Sequence, residues 1–206
     1  MGVAITGQQY LWPNRTIAYL IDPDLPNADR VEAAIQHWNA HSVISFVPRQ
    51  AEDDYVLVTS LPGCAISDVG LRGGQQKVCL GEDCPVGSII HELGHTVGLW
   101  HEHCRHDRDT FVTVDLDNID NDSLQNFTID SIADQPTPTT DIGDYDFGSI
   151  MHYSETACAF IDGTAVLIPK QPLPPGVVQG QRDGLSPGDI ASVAALYANV
   201  APAAGS

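Results

Sequence analysis

The sequence predicts an α+β chain in two unequal halves. A twisted mixed sheet with its helices comes first, and a mostly irregular second half closes with a terminal helix. Short apolar runs alternate with helical periodicity through about residue 101. Residues 115–147 then become rich in Asp, Asn, Thr and Pro, with little periodicity. A Ser186-Pro187-Gly188-Asp189 start opens an Ala-rich run near the end. The 206 residues suit one domain, 1–206, with subdomains of about 1–101 and 102–206.

Ile17-Ala18-Tyr19-Leu20-Ile21 reads as a buried strand closed by Asp22-Pro23. From Asn27 to about His41, Val31, Ala34, Ile35 and Trp38 recur at helical spacing, and Asn27 is the expected cap. Ile44–Val47 and Tyr55–Thr59 are short strands, and a Gly-rich hairpin falls between Cys64 and Cys84. Val86 to Trp100 forms a helix with Ile89, Ile90, Leu93 and Val97 toward the core. The last helix runs from Ser186 to about Ala198, and the Ala-Pro-Ala-Ala-Gly-Ser tail is expected to be mobile.

The most specific pattern lies on the central helix: His91-Glu92-Leu93-Gly94-His95-Thr96-Val97-Gly98-Leu99-Trp100-His101. His91 and His95 stand four apart and so share one helical face. Gly98 can take φ > 0, ending the helix and swinging His101 back toward that face. Three imidazoles with a position left open are the donor set of one catalytic zinc ion, whose water falls to a pKa near 7. Glu92 is placed to act as the general base on that water. An amphipathic core helix carrying chance histidines is the weaker reading, because five positions must coincide.

Residues further along narrow the family. The run His101-Glu102-His103-Cys104-Arg105-His106-Asp107-Arg108-Asp109 resembles the extended signature of the astacin metalloproteases, a metzincin branch. Tyr145-Asp146-Phe147-Gly148-Ser149-Ile150-Met151-His152-Tyr153 is similar to that family's methionine turn. Leu11-Trp12-Pro13-Asn14, Gly180-Gln181-Arg182 and Asp189-Ile190 match as well, so the likeness covers about residues 10–198. It implies a zincin-like fold with the active-site cleft between the two halves. It further implies a bacterial- or fungal-type catalytic domain and a secreted endopeptidase with one Zn²⁺ per chain.

Carried over residue by residue, the resemblance implies that His91, His95 and His101 ligate zinc and that Glu92 is the base. Tyr153 is implied as a displaceable further ligand that then stabilises the oxyanion. Met151 is implied as an apolar floor, and Glu102 as partial structural support for the N-terminus. Arg105, Asp107, Arg108 and Asp109 read as a buried or half-buried ion network. His103 and His106 lie outside the ligand spacing and are expected toward solvent or in that network. His37 and His41 receive no function. Substrate is expected to bind extended along an edge strand of the hairpin region, by backbone pairing.

There are five cysteines. The resemblance pairs Cys64 with Cys84, while residues 41–45 and 196–199 lack both halves of a second family bridge. Cys104 and Cys158 follow segments that should be neighbours, so they are expected to form a replacement bridge, leaving Cys79 free. Disulfides imply an oxidising compartment. Nine basic against 27 acidic residues give a net charge of −18, which repels nucleic acid and anionic membranes. No apolar run approaches the ~18 residues of a membrane span. Asn14, Asn121 and Asn126 begin formal glycosylation triplets.

The start Met1-Gly2-Val3-Ala4 reads as an expression start near a mature boundary, with neither signal peptide nor propeptide pattern before it, and a monomer is expected. Pro85-Val86-Gly87 and Pro175-Gly176-Val177-Val178, read as the pocket after the scissile bond, contain no Lys or Arg. Arg182 is assigned to loop support, so that pocket should take small or apolar side chains. Two other classes share the motif: a catalytically silent zinc-binding interaction domain, and a zinc hydrolase of non-protein bonds. The intact ligands and base argue against the first, and the methionine turn against the second.

Overall fold

A computed structural model describes residues 2–62, 65–127, 129 and 138–203. The larger sheet holds β2 (Thr16–Ile21), β3 (Ser45–Pro48), β4 (Tyr55–Ser60), β5 (Ala65–Ser67) and β6 (Gln75–Leu80) in the order β3-β2-β4-β6-β5. The first four pair in parallel, while β5 runs antiparallel to β6 along one edge. Two helices pack against this sheet, α1 (Asp29–His41) and α2 (Val86–Val97), and they also pack on each other. The mixed α+β architecture expected above is therefore present.

A second, three-stranded sheet has the order β7-β1-β9, from β1 (Gly2–Ile5), β7 (Leu99–Trp100) and β9 (Thr139–Ile142). Sequence reading assigns no strand to Gly2–Ile5. All four β1 residues are buried, and β1 is the central strand of its sheet. Four residues are too few to show period-two patterning, and both partners lie more than ninety residues away. A third pair joins β8 (Val112–Val114) to β10 (Leu167–Pro169).

Two apolar clusters form. The larger combines the main sheet, α1 and α2 with Ile150, Met151 and, from α3 (Pro187–Leu196) and just beyond it, Val193 and Tyr197. The smaller gathers Val112, Ile119, Phe127, Val166 and Leu167. The terminal helix thus packs on the N-terminal core, and the methionine turn is carried with it.

Two helix boundaries differ from expectation. Asn27 does not cap α1: it adopts φ 53, and the helix begins at Asp29 with no side-chain cap. α2 ends at Val97, three residues early, because Gly98 at φ 116 turns the chain into β7. Its amide closes the helix by donating to the Gly94 and His95 carbonyls. At α3, Ser186 and Asp189 form a reciprocal capping box behind Pro187, as that local sequence implies.

Candidate active site

α2 supplies the first two histidines from one face, and the Gly98 reversal brings up the third. The Nε2 atoms of His91 and His101 lie 3.3 Å apart, and those of His95 and His101 lie 3.2 Å apart. His91 donates its Nδ1–H to the Ile150 carbonyl at 2.8 Å, and His95 donates to Leu99 at 2.9 Å. Both rings are thereby held in the tautomer that leaves Nε2 a bare lone pair. Convergent lone pairs repel one another unless a cation lies among them. A tetrahedron with vertices about 2.0–2.1 Å from its centre has edges of about 3.3 Å, so the spacing fits zinc. Burial holds His91 and His101 well below the usual imidazole range and His95 down at about 4, favouring the neutral, ligating form.

The three histidines line a cleft of about 560 Å³ together with Glu92, Tyr153, Arg182 and the edge strand β5. Glu92 is 6% exposed, and burial raises its carboxyl to about 7, with the Arg182 charge opposing. A carboxyl poised near neutrality suits a group that must take up and return a proton. The Tyr153 ring lies 4.4 Å from both His101 and His103. Burial raises its hydroxyl pKa, so it remains a proton donor.

Met151 is 1% exposed, and its Sδ would lie 2.6 Å from a Cβ placed on Gly94. A bare glycine between the two ligand histidines therefore lets the methionine turn approach α2. That turn is held from below: Asp189 accepts from the Ser149 hydroxyl at 2.6 Å and from the Ile150 amide at 2.9 Å. Glu102 is fully buried, accepting from the Asp146 amide at 2.8 Å while its own amide donates to Met151. Burial pushes its carboxyl well above the usual range. Arg105 binds Asp107 through two nitrogens at 2.8 and 2.7 Å and reaches the Gly2, Ile142 and Gly143 carbonyls. The Arg105–Asp107 part of the expected ion network is thus present and ties the ligand loop to β1 and β9, while Arg108 pairs separately with the exposed Asp109.

Several expectations change. His103 is fully buried, with Nε2 donating to the Asn126 carbonyl at 2.9 Å, because Phe127 and Tyr153 cover its ring. His106 is half exposed and pairs with Asp141. His37 accepts from the Leu185 amide at 3.0 Å and so has a structural partner. The Cys104–Cys158 bridge is not formed: both are free thiols. Cys104, half-buried, donates to Asn126, and desolvation raises its thiol to about 12, whereas Cys158 sits exposed at φ 57. Cys79 is free as expected, and Cys84 is also a free thiol. Its expected partner Cys64 lies outside the described residues.

Arg182 is the residue whose role sequence reading understates. One of its terminal nitrogens donates to the Ile150, His152 and Gln181 carbonyls, the loop support expected of it. The same side chain lines the catalytic cleft beside Glu92.

The pattern of the astacin peptidase family matches residues 4–198. The chain belongs to the astacin family. It is 38% identical over 197 residues to nematocyst expressed protein 6 of Nematostella vectensis, covering 92% of this chain and 66% of that protein. It is 35% identical to human Tolloid-like protein 1 over 94% of this chain, but spans 19% of that protein. The solved structure of high choriolytic enzyme 1, a hatching enzyme zinc-protease from Oryzias latipes, superimposes with a TM-score of 0.82. Identity there is 31%, with 95% of this chain and 98% of the other covered. The expectation of a bacterial- or fungal-type domain finds no support among these animal relatives. By family, this is a zinc metalloendopeptidase domain.

Proposed function

We propose that this domain hydrolyses internal peptide bonds of extended polypeptides outside the cell, using one zinc ion held by His91, His95 and His101. The observation that carries the reading is three neutral imidazoles converging at tetrahedral edge length beside a carboxyl raised to about 7. Zinc held there supplies Lewis acidity that polarises a carbonyl and acidifies water. Glu92 takes the proton from the attacking water at its carboxylate oxygen and returns it to the leaving amine nitrogen. The Tyr153 hydroxyl would hold zinc as a further ligand at rest, and it donates to the developing oxyanion. His152 orients that tyrosine by donating to its carbonyl at 2.7 Å while accepting from the Tyr145 hydroxyl. Met151 serves as the floor of the metal site, and Glu102 with Arg105 braces the loop carrying His101.

The substrate backbone pairs with β5, whose outer edge carries no strand among the described residues. Antiparallel pairing leads the C-terminal half of the substrate from Ser67 toward Ala65. The net charge of −18 and the absence of a membrane-crossing helix among the described residues support a soluble partner other than nucleic acid. The protein acts as a monomer, in one domain whose two subdomains meet near residue 101.

Casein digestion with and without a zinc chelator, alongside Glu92→Ala, tests the reading. Chelation and the substitution are each expected to abolish cleavage, while Glu92→Ala retains one zinc. A zinc-loaded wild type that cleaves nothing contradicts it and favours a silent binding domain.

A further inference from the structure

Next to the zinc cleft lies a second cavity, of about 670 Å³, in a part of the surface that the hydrolytic chemistry does not use. Ala65 and Ser88 line both spaces, so the two adjoin. Ser88 precedes His91 by three residues on α2, which places the junction about one helical turn, roughly 5 Å, from the first ligand. The wall beyond is formed by the ends of β4 and β6 and the turn before α2, including Leu61, Leu80 and Pro85.

Two carboxylates, Glu82 and Asp83, stand on this wall, and no Lys or Arg lines it among the described residues. Arg30 borders this wall without lining the space, its guanidinium occupied by the carbonyls of two lining residues, Cys84 at 2.7 Å and Pro26 at 3.4 Å. Arg182 lines only the zinc side. The cavity therefore combines an apolar floor, able to hold an aliphatic stem, with an acidic mouth able to meet a charged head. Lysine and arginine side chains have that construction.

We propose that this cavity is a specificity subsite, taking Lys or Arg at the second or third substrate residue after the scissile bond. The inference rests on the peptidase reading and on antiparallel pairing with β5, which sends that half of the substrate past Ala65 toward the cavity. A strand rises about 3.4 Å per residue, so one to two residues beyond the cut bring the chain over the junction. Glu82 and Asp83 then act as specificity-determining residues through charge alone, which makes the preference sensitive to salt.

Three quenched-fluorescence peptides test this, identical except for Lys, Ala or Glu at both positions, with cleavage sites fixed by mass spectrometry. Zinc-loaded wild type is expected to favour the Lys peptide over the Glu peptide by about tenfold in kcat/KM at low salt. The ratio should fall toward about two in 0.5 M NaCl as the charges are screened. In Glu82→Gln/Asp83→Asn the ratio should approach one, and in Glu82→Lys/Asp83→Lys it should invert. Because each ratio is internal to one enzyme, a general loss of activity in a variant does not disturb it. Equal cleavage of all three peptides by wild type, or a ratio that survives in both double variants, overturns the subsite alone. Cleavage of none by a protein holding one zinc overturns the subsite together with the peptidase reading.

Discussion

His91 donates its Nδ1–H to the carbonyl of Ile150 at 2.8 Å, joining the first histidine of the site to the methionine turn 59 residues later. The same carbonyl accepts from Arg182 at 3.0 Å, and the Ile150 amide donates to Asp189. The backbone of one residue therefore couples α2, the 180s loop and the capping box of α3. The tautomer of His91 depends on this arrangement, and so does the direction of its lone pair.

Removing the support under that peptide should be costly. Asp189→Ala leaves the Ile150 amide without its acceptor, strands the buried Ser149 hydroxyl and opens the capping box. Unsatisfied buried donors cost about 1–3 kcal/mol each and a lost cap about 1. We expect a loss of about 2–4 kcal/mol, read as a fall in Tm of roughly 5–15 °C by calorimetry. Zinc affinity should weaken about tenfold or more in a competition titration. Unchanged affinity would mean that His91 is held in place without the methionine turn.

Gly94→Ala probes the approach of that turn to α2. Alanine gains about 1 kcal/mol of helix propensity, but its Cβ would lie 2.6 Å from the Met151 sulfur in a closed core. Overpacking costs about 1–3 kcal/mol. A net destabilisation of about 1 kcal/mol is expected, with a non-additive cycle: Gly94→Ala/Met151→Ala should be less destabilised than the sum of its parts by at least about 0.5 kcal/mol. Additive losses by urea unfolding would show that the two side chains do not meet.

Acid should unfold the metal-free protein early. Burial lowers His91, His95, His101, His103 and His152, the second and last to about 4. A histidine depressed in the folded state stabilises above its unfolded pKa of about 6.5, and that contribution drains away as pH falls toward the folded value. Glu92, raised to about 7, and Glu102 and Asp189, also raised by burial, act in the opposite sense, gaining stability as pH falls. These histidines, with His37 lowered as well, outnumber the three raised carboxyls, so unfolding takes up a net of about two protons or more. Stability should therefore fall by up to about 3 kcal/mol per pH unit between pH 6.5 and 5. Scanning calorimetry at stepped pH checks this, and a Tm that is level or rises on acidification contradicts it.

The parts of the molecule legible in the sequence are those with local causes. His91, His95 and Gly98 declare a helix face and its termination within eleven residues, and the structure places them accordingly. β1 is not legible, because Gly2–Ile5 acquires its role only by pairing with Trp100 and with Thr139–Ile142. That Cys104 and Cys158 follow the ligand helix and the methionine turn suggests a bond between them. Which way each thiol points is a tertiary matter, and Cys104 points at Asn126. Arg182 illustrates the same limit: its Gly-Gln-Arg setting indicates loop support, but only the folded cleft places its charge beside Glu92.

The central claim is that three histidines hold one zinc ion and that Glu92 moves the proton. Zinc titration of the metal-free protein, following a quenched peptide and bound metal together, tests it most directly with Glu92→Gln in parallel. Activity should rise linearly and saturate at one zinc per chain. Glu92→Gln should bind the same single ion while cleaving at least about 10²-fold more slowly. Full activity in Glu92→Gln, or cleavage that does not track the first zinc bound, would contradict the account.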